Sequence, residues 1–174
     1  MKIRNAHKDD YPSICHLVKT KEELFLISPA SHFPLTVEKL EQIALTRLAL
    51  TVAESEKQII GFVNLYDFTA GNEVFIGNLI ISNQHRKKGL GRKLVQHMLA
   101  IAFTELKLAN VCLSVFNENT VALNLYHSLG FRPYAFEQRI TPDGNKVILI
   151  HTRLKQTEWQ NDTGVNPPSS DTKL

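Results

Sequence analysis

The stretch Gln84 to Leu94, QHRKKGLGRKL, constrains this chain more than any other. It stands where an apolar β run, Phe75 to Ser82 (FIGNLIIS), gives way to Leu90, Leu94, Met98 and Ala102, which recur at helical spacing. A strand that turns directly into an amphipathic helix leaves the first N–H groups of that helix without intrahelical partners. Gly89 and Gly91 remove the Cβ atoms that would hold a ligand away from them. The pattern predicts an anion site, and the flanking Arg86, Lys87, Lys88, Arg92 and Lys93 predict that the anion carries phosphate. Backbone amides from Lys88 to Arg92 are the expected ligands ahead of any single side chain.

Charge elsewhere supports a discrete site. The chain has 20 basic and 17 acidic residues, and setting aside the five basic residues of this one stretch leaves 15 against 17. A basic excess confined to one turn argues against a nucleic-acid surface, which spreads its cations along a face. At 174 residues and 43% hydrophobic content the chain is expected to form one domain with a full core. It has no apolar run long enough to span a bilayer, and its first residues, MKIRNAHKDD, lack the apolar centre of a secretory signal. A cytoplasmic location without membrane contact is expected. Cys15 and Cys112 stand in no CxxC or Cys/His spacing and are read as buried thiols, and no metal site is expected.

Along the chain, Met1 to Ala6 reads as a first strand, and Asp9, Asp10 and Pro12 open a helix with Ile14, Cys15, Leu17 and Val18 inward. Phe25 to Pro34 reads as a loop. Thr36 is an N-cap for a second helix with Leu40, Ile43, Ala44 and Leu48 as its buried stripe. Two strands, Leu50 to Ala53 and Ile59 to Phe68, flank the polar turn ESEKQ, and a third covers Val74 to Ile81. A helix from about Leu90 to Leu106 is followed by a β run, Val111 to Phe116. A helix from about Thr120 to Ser128 then stops at Gly130. A closing hairpin pairs Tyr134 to Ile140 with Lys146 to Leu154 across TPDGN. The domain is expected to span residues 1–154. Residues 155–174 are read as a disordered tail, because NDTGVNPPSSDTKL after Trp159 has almost no apolar content. The alternation of elements predicts a mixed α/β or α+β layer fold.

A second pattern, LSVFNENTVALNLYHSLGF from Leu113 to Phe131, follows the first after one helix and one strand. In that order the two resemble the GNAT superfamily of acyl-CoA-dependent N-acyltransferases. Arg86 to Gly91, RKKGLG, is similar to that family's pyrophosphate loop, and Leu79, Ile80 and Ile81 to its pantetheine-lining strand. Asn119, Ala122, Leu125, Tyr126, Gly130 and Phe131 are similar to its second motif. The sharp likeness covers residues 73–131.

The resemblance implies a mostly antiparallel central sheet of about seven strands, with helices on both faces and with strands four and five splayed to admit the cofactor. It implies acetyl-CoA as cosubstrate. It also implies cofactor contacts from Leu79, Ile80, Ile81, Arg86, Lys87, Lys88, Gly89, Leu90, Gly91, Arg92, Asn119 and Tyr126. Tyr126 is implied to protonate or hold the departing thiolate, a role open to a phenol of pKa near 10. Gly77, inside an otherwise apolar strand, fits a bulge or a close backbone approach, whose free amides would also stabilise an oxyanion.

The general base departs from the family pattern. The strand-four position where many relatives carry glutamate is Phe75, and the position where certain protein N-terminal acetyltransferases carry one is Ser114. Glu73 shares a strand face with Phe75 and is the candidate base. A water chain, or an amine bound already neutral, is the alternative. Among the histidines, His85 lies in the phosphate loop and His97 and His127 on helices, none at metal-ligand spacing.

Acceptor specificity is expected from Phe25 to Pro34, the second helix and the last hairpin, with Asp67, Glu137 and Arg139 as polar contacts. The expected activity is acetyl transfer from acetyl-CoA to a primary amine, of a small molecule first. A peptide or protein acceptor and a non-catalytic acetyl-CoA-binding module are the rivals. A homodimer through an exposed β edge of the last hairpin is an expectation by analogy.

Overall fold

The computed structural model describes residues 1–159. Alternating apolar positions fold into seven strands: β1 Lys2–Asn5, β2 Leu48–Ser55, β3 Gln58–Thr69, β4 Glu73–Ile81, β5 Asn110–Phe116, β6 Arg132–Ile140 and β7 Lys146–Lys155. They form one sheet in the order β1-β2-β3-β4-β5-β7-β6. Every neighbouring pair is antiparallel except β4 and β5, which run parallel. A parallel pair needs a crossover, and α4 (Leu90–Ala100) supplies it.

Each face has its own core. Val63, Leu65, Val74, Ile76, Val111, Leu113 and Leu154 pack on one side against Leu94, Val95, Met98 and Leu99 of α4 and against Tyr126 and Phe131. On the other side α1 (Tyr11–Cys15), α2 (Lys21–Ile27) and α3 (Val37–Ala44) bring Ile14, Leu24 and Leu40 onto Val52, Phe62 and Ile80. That second core covers only the half of the sheet nearer β1. Over β5 and β7 the same face carries Ser114, His151 and Arg153, while Phe25 of α2 stacks on Phe116 with ring centroids 4.7 Å apart.

Three local expectations change. Phe25 to Ile27 are helical, not loop. The Thr20 hydroxyl accepts from Glu23 N at 3.2 Å and the Glu23 carboxylate accepts from Lys19 N at 2.8 Å, so a capping pair starts α2 just before the prolines. The helix expected to run to Leu106 leaves α-geometry at Ala100 and passes into a π-turn over Ile101–Glu105, where Thr104 Oγ1 donates to Ala100 O at 2.6 Å. Cys15 is only half-buried, whereas Cys112 is fully buried.

At the C-terminal end, β7 continues one residue past Leu154, a 3-10 turn follows at Gln156–Glu158, and Trp159 stacks on Phe103 with ring centroids 5.2 Å apart. The described fold therefore extends to Trp159, and the rest of the expected tail, residues 160–174, lies outside the described residues. No described helix is long and apolar enough to cross a membrane.

Candidate active site

β4 and β5 pair only at Glu73–Asn110, Val74–Val111 and Phe75–Cys112. Beyond Phe75, β4 stays with β3 and β5 stays with β7 as far as Phe116–Leu149, so the two central strands part. The cleft at the splay has a volume of about 540 Å3. Leu79, Ile80 and Ile81 of β4 line it, with Glu23, Leu26 and Ile27 of α2 on one side and α5 (Thr120–Ser128) on the other. A hollow of about 720 Å3 between α1 and the β2–β3 turn is more open, and it meets the phosphate stretch only at Gln84 and His85.

The cleft runs to the start of α4. Lys87 and Gly89 both have left-handed backbone, with φ of 59° and 80°, and Gly89 is the N-cap. No side chain caps this helix, so its first-turn amides keep their hydrogen-bonding capacity for something else. A Cβ at Gly89 would meet nothing within 4 Å, so the glycine serves the backbone angle. Gly91 has a packing role: a Cβ there would come 3.3 Å from Leu125 Cδ2 and 3.6 Å from Ile81 Cδ1.

The basic side chains divide. Arg86 Nε donates to Ile81 O at 3.1 Å and its Nη2 donates to Glu23 at 2.9 Å, while Arg92 Nη2 donates to Ser128 Oγ at 2.6 Å. Arg86, Lys87 and Arg92 border the cleft, whereas Lys88 does not line it and Leu90 is turned into the core.

The second motif forms the opposite wall. Asn119 Oδ1 accepts from Ala122 N at 3.2 Å and starts α5, which presents Ala122, Leu125 and Tyr126 to the cleft. Gly130, at φ 94°, turns the chain so that Phe131 packs back on Tyr126, ring centroids 6.1 Å apart. Among the described residues nothing hydrogen-bonds the Tyr126 hydroxyl, and burial pushes its pKa up to about 12.

The structure does not bring Glu73 to this cleft. It stands at the still-paired end of β4, accepting from Arg153 Nη2 at 3.2 Å and from Cys112 Sγ at 3.6 Å. Gly77 does not carry the bulge either. The register slips one step later, between Gly77–Asn64 and Ile80–Phe62, and Asn78 takes the strained angle at φ 49°. Asn78 is held by its side chain, which donates to Ile27 O and accepts from Asn64 Nδ2, both at 2.9 Å. What Gly77 admits is a side chain: a Cβ there would stand 2.7 Å from the Tyr66 ring.

Three residues that sequence reasoning did not single out meet the splay. Glu23 pairs with Arg86. Tyr66 lies across Gly77 with Arg47 stacked 4.3 Å over its ring. His151 Nδ1 is 2.8 Å from Ser114 Oγ, and its Nε2 is 3.6 Å from Glu137 Oε2. The signal for His151 was its alternation in the last strand, which points to Ser114 only once the β5–β7 register is known. Among the described residues no group of three or more His, Cys, Asp or Glu side chains is arranged to hold a metal ion.

A parallel splay between two strands, a glycine-led helix without a side-chain cap after one and an Asn-capped helix after the other thus meet at one cleft. Over residues 4–131 the chain matches the Acetyltransferase (GNAT) family, and it belongs to that family. It is 34% identical over 80 residues to a spermidine N(1)-acetyltransferase of Vibrio cholerae, covering 46% of each chain. It is 24% identical over 115 residues to a prophage-derived uncharacterized N-acetyltransferase of Bacillus subtilis, covering 63% of this chain and 65% of that one. The match thus spans about half to two thirds of these relatives' lengths. Its fold is similar to the solved structure of spermidine N-acetyltransferase from Vibrio cholerae in complex with CoA and spermine. There the TM-score is 0.79 at 21% identity, over 92% of this chain and 98% of that one.

Proposed function

We propose that the protein is an N-acetyltransferase that moves the acetyl group of acetyl-CoA directly to the primary amine of a small molecule. The observation that carries this reading is the meeting of both sequence motifs on the one cleft where β4 and β5 part. The amides from Gly89 to Arg92 would bind the pyrophosphate, with Arg86, Lys87 and Arg92 beside them. Leu79 to Ile81, with Asn119 and Ala122, would flank the pantetheine. The thioester then lies where Tyr126 reaches it from the α5 side, and the amine approaches from the opposite face.

Burial refines the part given to Tyr126. A phenol raised to about 12 stays protonated throughout the physiological range and is a weak acid toward a thiolate. It serves best by donating a hydrogen bond to the sulfur as negative charge develops there.

The charge of the acceptor face bears on the amine. Glu73 is ion-paired with Arg153 and Glu137 with Arg139, at 3.2 and 3.0 Å, and Arg47 sits over Tyr66. A polyamine would find Glu73 and Glu137 already paired with arginines, so an acceptor with a single amine is favoured. The reading carries a cytoplasmic location with it, where acetyl-CoA is available. It also includes a homodimer through β6, the outermost strand on its side of the sheet, which exposes Phe136 and Ile140. Light scattering that reports a monomer would remove the dimer.

The activity is tested by thiol release from acetyl-CoA across a panel of monoamines, polyamines and peptides. Steady turnover of a monoamine supports the reading. Preference for peptides replaces the acceptor class, and tight acetyl-CoA binding with no turnover of any amine reduces the protein to a binding module.

A further inference from the structure

An amine that attacks a thioester must lose a proton, and both positions where relatives keep a carboxylate for it, Phe75 and Ser114, lack one. The polar face of the sheet offers another destination. Tyr66 of β3 crosses over Gly77 of β4, which brings its phenol toward Ser114 of β5. Ser114 stands two residues beyond the last β4–β5 pair, on the stretch of β5 where the two strands have parted. From there the contacts continue outward, from Ser114 Oγ to His151 Nδ1 at 2.8 Å and from His151 Nε2 to Glu137 Oε2 at 3.6 Å. Glu137 is 45% exposed, so the series ends in water.

We propose that Ser114 and His151 form the proton exit of the acetyl transfer, with Glu137 holding the imidazole and Tyr66 holding the serine. The proposal rests on the acetyltransferase reading. A serine hydroxyl has one proton to give and two lone pairs to accept with. With Glu137 beside Nε2, the ring keeps its proton on that nitrogen and leaves Nδ1 to accept from Ser114. The Tyr66 phenol, kept protonated by burial, would donate to one serine lone pair. The other is left for the amine.

The balance closes. As the amine nitrogen bonds to the acetyl carbon, its proton passes to Ser114 Oγ and the serine proton passes to His151 Nδ1. The imidazolium then stands against the Glu137 carboxylate and releases its proton to water. The carbon–sulfur bond breaks, the electron pair goes to sulfur, and the thiolate hydrogen-bonded by Tyr126 takes up a proton from water to leave as free CoA. Donor and acceptor protons thus travel on opposite faces of the sheet. His151 acts through Ser114, and other ionisable groups surround it. Cys112 lies on the same face of β5, opposite Arg153, and Tyr134 and the Glu137–Arg139 pair lie on β6. On β7 itself Arg153 stacks 4.4 Å over Tyr134 and pairs with Glu73.

The test uses the full chain and the amine it turns over best. His151→Gln and Ser114→Ala should each lower kcat by about 100-fold or more, leave the KM for acetyl-CoA unchanged and alter the acid-side limb of the kcat profile. Ser114→Thr, which keeps the hydroxyl, should retain most of the activity. An unchanged limb with kcat within about threefold overturns the proposal. So does an acetyl group found on Ser114 by mass spectrometry after incubation with acetyl-CoA alone. If the unsubstituted protein turns over no amine, the acetyltransferase reading fails on its own account. The relay is then judged by 15N NMR of the histidines, assigned with His151→Gln: a proton on Nδ1, or ring shifts untouched by Ser114→Ala, overturns it.

Discussion

Gly77 decides where Tyr66 lies. Any side chain at this position would drive a Cβ to 2.7 Å from the Tyr66 ring, so Gly77→Ala must push that ring off β4. Overpacking of this kind costs about 1–3 kcal/mol, readable by chemical denaturation, and the displaced phenol should lower acetyl transfer while acetyl-CoA affinity holds. Tyr126 supports a second pair of measurements. Tyr126→Phe removes a hydrogen bond that matters most in the transition state, so kcat should fall by roughly 10- to 100-fold at constant KM for acetyl-CoA. Its stability should also respond to alkali. The unfolded phenol ionises near pH 10 and the folded one only at about 12, so the native state loses stability as pH rises through that window, by roughly 2 to 3 kcal/mol at its upper end. Tyr126→Phe should be flatter than the unsubstituted protein over the same range. At this scale the sequence made Gly89, Asn119 and Tyr126 legible, because each sits inside a local pattern. It could not reveal Tyr66, Ser114 and His151 as neighbours, because β3, β5 and β7 meet them only through register. Strand parity alone points to Glu73 and cannot see that Arg153 pairs with it.

Helix starts organise the next level. α5 begins on Asn119, whose side chain accepts from Ala122 N, and α5 in turn carries Tyr126. Asn119→Ala should destabilise the protein by about 1 kcal/mol in thermal or chemical unfolding, and the loosened first turn should raise the KM for acetyl-CoA. α4 begins instead on Gly89, in left-handed backbone and without a side-chain cap. The boundaries of α5 were readable to the residue, since an Asn at its start and a Gly after its end punctuate it. α2 was missed although Thr20 and Glu23 announce it, because the prolines at positions 29 and 34 dominated the local composition. The π-turn after α4 had no such warning; it follows from how Leu106 and Leu108 return their amides to Ile101 and Ala102.

At the scale of the whole molecule, the seven-stranded, mostly antiparallel sheet, the parting of β4 from β5 and the two-sided cover agree with what alternation and the family resemblance imply. The C-terminal limit is where they differ. Trp159 covers Phe103, a ring with 1% of its surface exposed, so a chain ending at Leu154 should melt several degrees below one ending at Trp159. Equal melting temperatures would return the limit to Leu154. The parting of β4 from β5 has a further consequence. It creates two strand edges with open backbone groups, the feature that at the rim of a sheet recruits foreign strands and seeds aggregation. Here those edges lie at the centre, roofed by α2 on one side and α5 on the other, where no second polypeptide can lie down beside them. Only a slender, extended molecule can thread between them, so a hazard at the perimeter becomes a selective slot in the middle.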